Sequence, residues 1–130
     1  YTIGDEPCVD CIPKEHIKDI FGDEVQSDIM FDDIFEEVSK SYDVFHIIAN
    51  GWHHDESVHW WKNHIGQRAI FANDISKIPQ IINTTLELRM GKSLGDAVSK
   101  YDQTTAVAVV NSLKDLALGE KSNGELVEFD

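Results

Sequence analysis

Basic residues are scarce in this chain. Eleven Lys and Arg stand against 24 Asp and Glu, a net charge of −13 over 130 residues. Nucleic acids and anionic membrane surfaces are held by clustered Lys and Arg, so this balance argues against both as partners. Metal cations and basic protein surfaces fit it better. Cysteine is nearly absent as well. Cys8 and Cys11 are the only two, too few for a disulfide framework, and a cytoplasmic setting is the expectation. No apolar run approaches the roughly 18 residues of a membrane span. There is no Gly-rich phosphate loop and no nucleophile elbow, so the signatures of those two enzyme types are missing.

What is present is enough apolar material, 42%, for one domain with its own core. The acids are spread unevenly. Residues 1–65 hold 15 acids and 4 bases, and residues 66–130 hold 9 and 7.

Strand and helix patterns alternate. Residues 1–4 form a short apolar strand, and 7–13 a loop that carries both cysteines. Pro13 suits the first turn of a helix over 14–21, and Gly22 its end. Residues 22–30 read as an acidic loop. Phe31, Ile34, Phe35, Val38 and Tyr42 share one face of a helix over 31–41, with Asp32 and Asp33 at its positive end. The run Asp-Val-Phe-His-Ile-Ile-Ala at 43–49 is apolar apart from His46. Unbroken burial of this kind suits a parallel strand covered on both faces. His46 then reads as a hydrogen-bonded core residue.

A helix over 57–65 turns Val58, Trp61 and Ile65 inward, and a strand follows at 68–72. A helix over 78–90 has Pro79 in its first turn and an inward row of Ile78, Ile81, Ile82 and Leu86. A shorter helix at 93–101 precedes a last one over 104–118, and 119–130 reads as a tail. Strands separated by helices imply right-handed crossovers and a parallel α/β sheet with helices on both faces. The strands should lie in the order 1–4, 44–49, 68–71. The opening Tyr-Thr-Ile-Gly-Asp-Glu reads as a strand with no lead-in, and the expectation is a sheet whose first half lies elsewhere, in a preceding segment or another chain.

The order of these motifs resembles a known family. Gly4-Asp5-Glu6 closes a strand, a long acidic helical stretch follows, then Tyr42 to Ile48, then Trp-Lys-Asn-His-Ile-Gly-Gln-Arg-Ala-Ile-Phe at 61–71 and Ile-Pro-Gln-Ile-Ile at 78–82. The series resembles the C-terminal half of a von Willebrand factor A-type domain, in the bacterial and phage-like intracellular branch where the motif strand ends in Gly-Asp. It covers about residues 1–91, leaving 92–118 as an additional helical segment and 119–130 as the tail. The resemblance implies a Rossmann-like sheet with a Mg²⁺-dependent adhesion site at the strands' carboxyl ends. Of the family's usual ligands only the strand-end carboxylate has a counterpart, Asp5, so the site is incomplete in this chain. Glu6 and Asp10 lie near it in sequence and could add oxygen ligands. The function implied is metal-assisted protein–protein recognition without catalysis.

Two other chemistries use the Cys8–Cys11 pair. A Cys-x-x-Cys between strand and helix is where a thiol-disulfide oxidoreductase carries its redox pair. The same pair with His53, His54 or His59 could hold a structural zinc, although the spacing from Cys11 to His53 is far longer than in compact zinc modules. Of the three tryptophans, Trp61 reads as core, while Trp52 or Trp60 is a candidate for an exposed interaction surface.

Overall fold

In the computed structural model, which describes residues 1–51 and 54–122 and the side chains up to residue 116 apart from His54, strands and helices alternate along the chain. Strand β1 (Thr2–Gly4) is followed by β2 (Cys11–Ile12), helix α1 (Lys14–Phe21), β3 (Ile29–Met30) and α2 (Phe31–Ser39). Then come β4 (His46–Ala49), α3 (His54–Ile65), β5 (Ala69–Ala72), α4 (Ile78–Arg89), α5 (Leu94–Val98) and α6 (Gln103–Ser122), with single 3-10 turns at Gly66–Arg68 and Ile75–Lys77.

β1, β4 and β5 make one parallel sheet in that spatial order, the order expected from the sequence. Thr2 lies beside His46, and His46 beside Ala69. β4 is central, which explains its unbroken apolar run: Ile47 and Ile48 point to opposite faces and both are fully buried. Phe45, Ile47, Ile70 and Ala72 meet α4, α5 and α6 on one face, through Ile81, Leu88, Val98, Val109, Leu113 and Leu116. Ile48, Ala69 and Phe71 meet Val58, Trp61 and Ile65 of α3 and Phe31 and Phe35 of α2 on the other. α5 and α6 therefore complete the main core.

Several details depart from the sequence reading. The acidic loop at 22–30 ends in β3, which pairs antiparallel with β2, Cys11 against Met30. Two-residue strands are too short to show any periodicity. The inward row of α4 is rotated: Leu86 is half exposed, while Thr84, Thr85 and Leu88 are buried. Thr85 Oγ1 donates to Ile81 O at 2.8 Å and Thr84 Oγ1 to Tyr101 Oη at 3.4 Å, so both hydroxyls enter the core with partners. Tyr42 and Val38, placed on the inward face of α2, are exposed. The helix ends follow the sequence more closely. Gly22 closes α1 in the left-handed region, φ 77°, and its N–H donates to Lys18 O at 2.9 Å.

β4 begins three residues later than the apolar run, and Asp43 lies before it. Its carboxylate pairs with Arg68 before β5 and, at 2.6 Å, with Nε of Arg89 at the end of α4. It ties together the amino-terminal ends of two strands. Asp102 caps α6: Thr105 N–H and Oγ1 donate to its carboxylate and hold it below the usual carboxylate range.

Candidate functional site

The carboxyl ends of β1 and β4 meet at Asp5 and Gly51. A Cβ on Gly51 would lie 2.5 Å from Asp5 Oδ2, so only glycine leaves room for that carboxylate. Asp5 is exposed above this contact. Trp52 and His53, next in the chain, lie outside the described residues, as does the side chain of His54.

Glu6 and Asp10 are drawn toward α3. Trp61 Nε1 donates to Glu6 O at 2.9 Å, and Trp60 Nε1 donates to Asp10 Oδ1 at 2.8 Å. His64, one turn beyond Trp60, hydrogen-bonds through Nδ1 to Asp32 Oδ1 at 2.7 Å, with Nε2 3.9 Å from the same Asp10 oxygen. Phe31 meets Trp60, Trp61 and His64 edge-on at 4.8, 5.7 and 5.5 Å, and its N–H donates to Asp10 O at 2.8 Å. One face of α3 thus holds the N-terminal segments by a belt of rings and hydrogen bonds. The sequence reading picked out Asp10 as an oxygen donor for a cation. Here its Oδ1 is engaged by Trp60. It placed Asp32 only at a helix end and His64 only within the motif at 61–71, although the i, i+4 spacing of Trp60 and His64 was a visible signal.

These positions decide what the group can bind. Mg²⁺ needs near-octahedral oxygen ligation, and zinc needs four ligands in a structural site. Among the described residues no three His, Cys, Asp or Glu side chains come together to hold an ion. Asp5, Glu6 and Asp10 do not fit Mg²⁺ by themselves. Cys8 is exposed and Cys11 half-buried in β2, and both are free thiols. His59 Nε2 pairs with Asn63 Nδ2 at 3.0 Å.

His46 lies beneath the belt. Its ring stacks on Trp61 at 3.6 Å, and Nδ1 pairs with Thr2 Oγ1 at 2.8 Å. The residue is buried, and burial pushes its pKa down to about 4, so it is neutral near pH 7. Nε2 has no hydrogen-bond partner. The core placement expected of His46 is found, with one nitrogen satisfied. Trp61 packs as expected, and Trp60 is partly buried in the belt.

A pocket of about 210 Å³ lies elsewhere, between the end of α3, the turn at Gly66–Arg68 and α6, lined by Lys62, Gln67, Ser112 and Asp115. It is smaller than the usual small-molecule site of about 300–1,000 Å³. Among the described residues no helix is long and apolar enough to cross a membrane. No family model, curated protein or solved structure matches the chain.

Proposed function

We propose that this chain is a non-catalytic protein-recognition module of the von Willebrand A-like type, and that it takes a basic protein partner on its N-terminal region. The observation that carries this reading is a contrast within the chain. Residues 1–42 contain 12 acids and 3 bases, and Ile17 is their one buried side chain. Ile20, Phe21 and Tyr42 are each at least 70% exposed in the same region. Apolar side chains framed by charge of one sign are the usual make-up of a recognition surface. The sign of the charge selects the partner and speeds its approach. The parallel order of β1, β4 and β5 supports the family resemblance. The described donors do not form a site for the expected Mg²⁺, so recognition in this reading rests on charge and apolar contact.

The test is titration with a Lys- and Arg-rich peptide at low and at physiological salt, followed by fluorescence anisotropy. Replacing Asp19, Asp23 and Glu36 together by their amides should weaken binding by about tenfold, because long-range attraction scales with the local charge. Replacing Asp74, Asp96 and Asp115, exposed acids outside that region, in the same way should change it by less than about twofold. Equal losses in the two triple variants would show that only net charge matters and would overturn the assignment.

A further inference from the structure

Two anchors and a pair of thiols share one short segment. Trp61 Nε1 donates to Glu6 O at 2.9 Å, which fixes the chain soon after it leaves β1. Asp10 is gripped on both its side chain and its backbone. Trp60 Nε1 donates to Oδ1 at 2.8 Å, and Phe31 N–H donates to the carbonyl at 2.8 Å. His64 Nε2 lies 3.9 Å from the same carboxylate oxygen. Cys11 follows in β2, paired with Met30 of β3 just before α2 begins. Cys8 and Cys11 flank Asp10, and both are free thiols, Cys8 exposed and Cys11 half-buried. The residue through which α2 and α3 grip this segment therefore lies inside the ring that a disulfide between the two would close.

Backbone geometry sets the two redox forms apart. A disulfide holds its Cα atoms about 4.4–6.8 Å apart. Between Cys8 and Cys11 that is the span of a tight turn, whose ends are within about 7 Å. Residues 8–11 close no hydrogen-bonded turn, and Cys11 is extended in the β2 ladder. The backbone that suits the ladder differs from the backbone that suits the disulfide, and Asp10 sits where they differ.

We propose that Cys8 and Cys11 form a redox latch on the N-terminal region. As thiols they leave Asp10 and β2 in the contacts that hold this region to α3. As a disulfide they draw residues 8–11 into a turn, pull Asp10 from Trp60 and Phe31, and break the β2–β3 ladder. The oxidant is a small-molecule disulfide of the glutathione class. The exposed Cys8 attacks it as the thiolate, forming a mixed disulfide and releasing one small thiol. Cys11 then attacks Cys8 Sγ, closing the ring and releasing the second. The protein gives up two electrons and two protons, and the small disulfide takes up both as two thiols. An excess of small thiol reverses the exchange. The latch goes beyond the recognition reading above, since it depends only on the belt and the two sulfurs, whatever the partner.

The test equilibrates the whole chain with glutathione at rising ratios of disulfide to thiol. Mass spectrometry after acid quenching reads the sulfurs, and NMR amide exchange reads the belt. Oxidation should remove two hydrogens from the chain without adding glutathione. The Phe31 amide, which donates to Asp10 O, should then exchange at least about tenfold faster, while the amides of α6 keep their rates. Dithiothreitol should restore both readings. Cys11→Ser takes up glutathione on the exposed Cys8 and cannot close the ring, so its Phe31 exchange should stay at the reduced value. Mixed disulfides alone, with no ring at the highest ratio, would overturn the pairing. A ring that forms with Phe31 exchange unchanged or slower would overturn the latch, and so would an equal rise in Cys11→Ser.

Discussion

Residues 1–42 and residues 43–116 are built on different terms. The first stretch buries Ile17 and carries a net charge of −9. Among its described residues the second buries 19 side chains, Ile47, Ile70, Val109 and Leu113 among them, and its 8 acids nearly balance its 7 bases. Apolar burial is the main favourable term in folding, so the second stretch must supply most of the stability. The first is held to it by a short ladder on β4 and by the ring belt of α3. Its surplus of like charge works against compactness. Regions of this kind open locally at low cost, and binding surfaces are drawn from them. On the proposed reading the division also separates two tasks: one part sets the fold, and the other presents charge and uncovered apolar groups to a partner.

The largest effect that could break this comparison comes from the core. Leu113→Ala should cost about 3–4 kcal/mol, as buried leucines do when truncated. Ile17→Ala, also buried, should cost the whole molecule about 1 kcal/mol or less, because it loosens a region that opens on its own. Urea denaturation followed by tryptophan fluorescence separates the two. Comparable costs would mean that both regions unfold as one cooperative body.

Next in size is the acid response of His46, which sits at the seam. Its folded pKa, about 4, lies below the unfolded value of about 6.5. Below pH 6.5 the unfolded chain takes up a proton that the folded chain refuses. Stability is unaffected well above that pH and falls as the pH drops from about 6.5 toward 4, by up to about 3 kcal/mol. His46→Phe keeps a ring against Trp61 and removes the titrating group. Its stability should be flatter over the same window. An unchanged slope in the variant would assign the acid response to other groups.

The smallest effect sharpens the picture of the belt. Trp60→Phe retains a ring near Phe31 and loses the hydrogen bond to Asp10 Oδ1. It should cost about 0.5–1.5 kcal/mol and should raise amide exchange in the N-terminal segments more than in β4 or α6. Equal increases everywhere would show that Trp60 supports the core instead.

The sequence revealed some parts of this design and hid others for physical reasons. The run at 43–49 was legible because a strand covered on both faces must be apolar throughout. Gly22 was legible because a left-handed helix end favours glycine. The rotation of α4 was hidden, since Thr84 and Thr85 enter the core only by hydrogen-bonding Tyr101 and Ile81, and composition marks both as polar. The pairing of β2 with β3 was hidden because four residues distant in sequence carry no pattern. In the site, Asp5 was recognisable at its strand end. The engagement of Asp10 by Trp60 and of Asp32 by His64 depends on how α3 lies over α2, and no local spacing encodes that.

The account rests on the claim that residues 1–42 form a weakly held recognition region on a stable α/β core. Native-state hydrogen exchange across a urea series tests it most directly. Amides of α1 should exchange through local openings that are insensitive to urea, with low protection. Those of β4, β5 and α6 should exchange only through global unfolding, with free energies that fall linearly as urea rises. Equal protection of α1 and β4, with the same urea dependence, would contradict it.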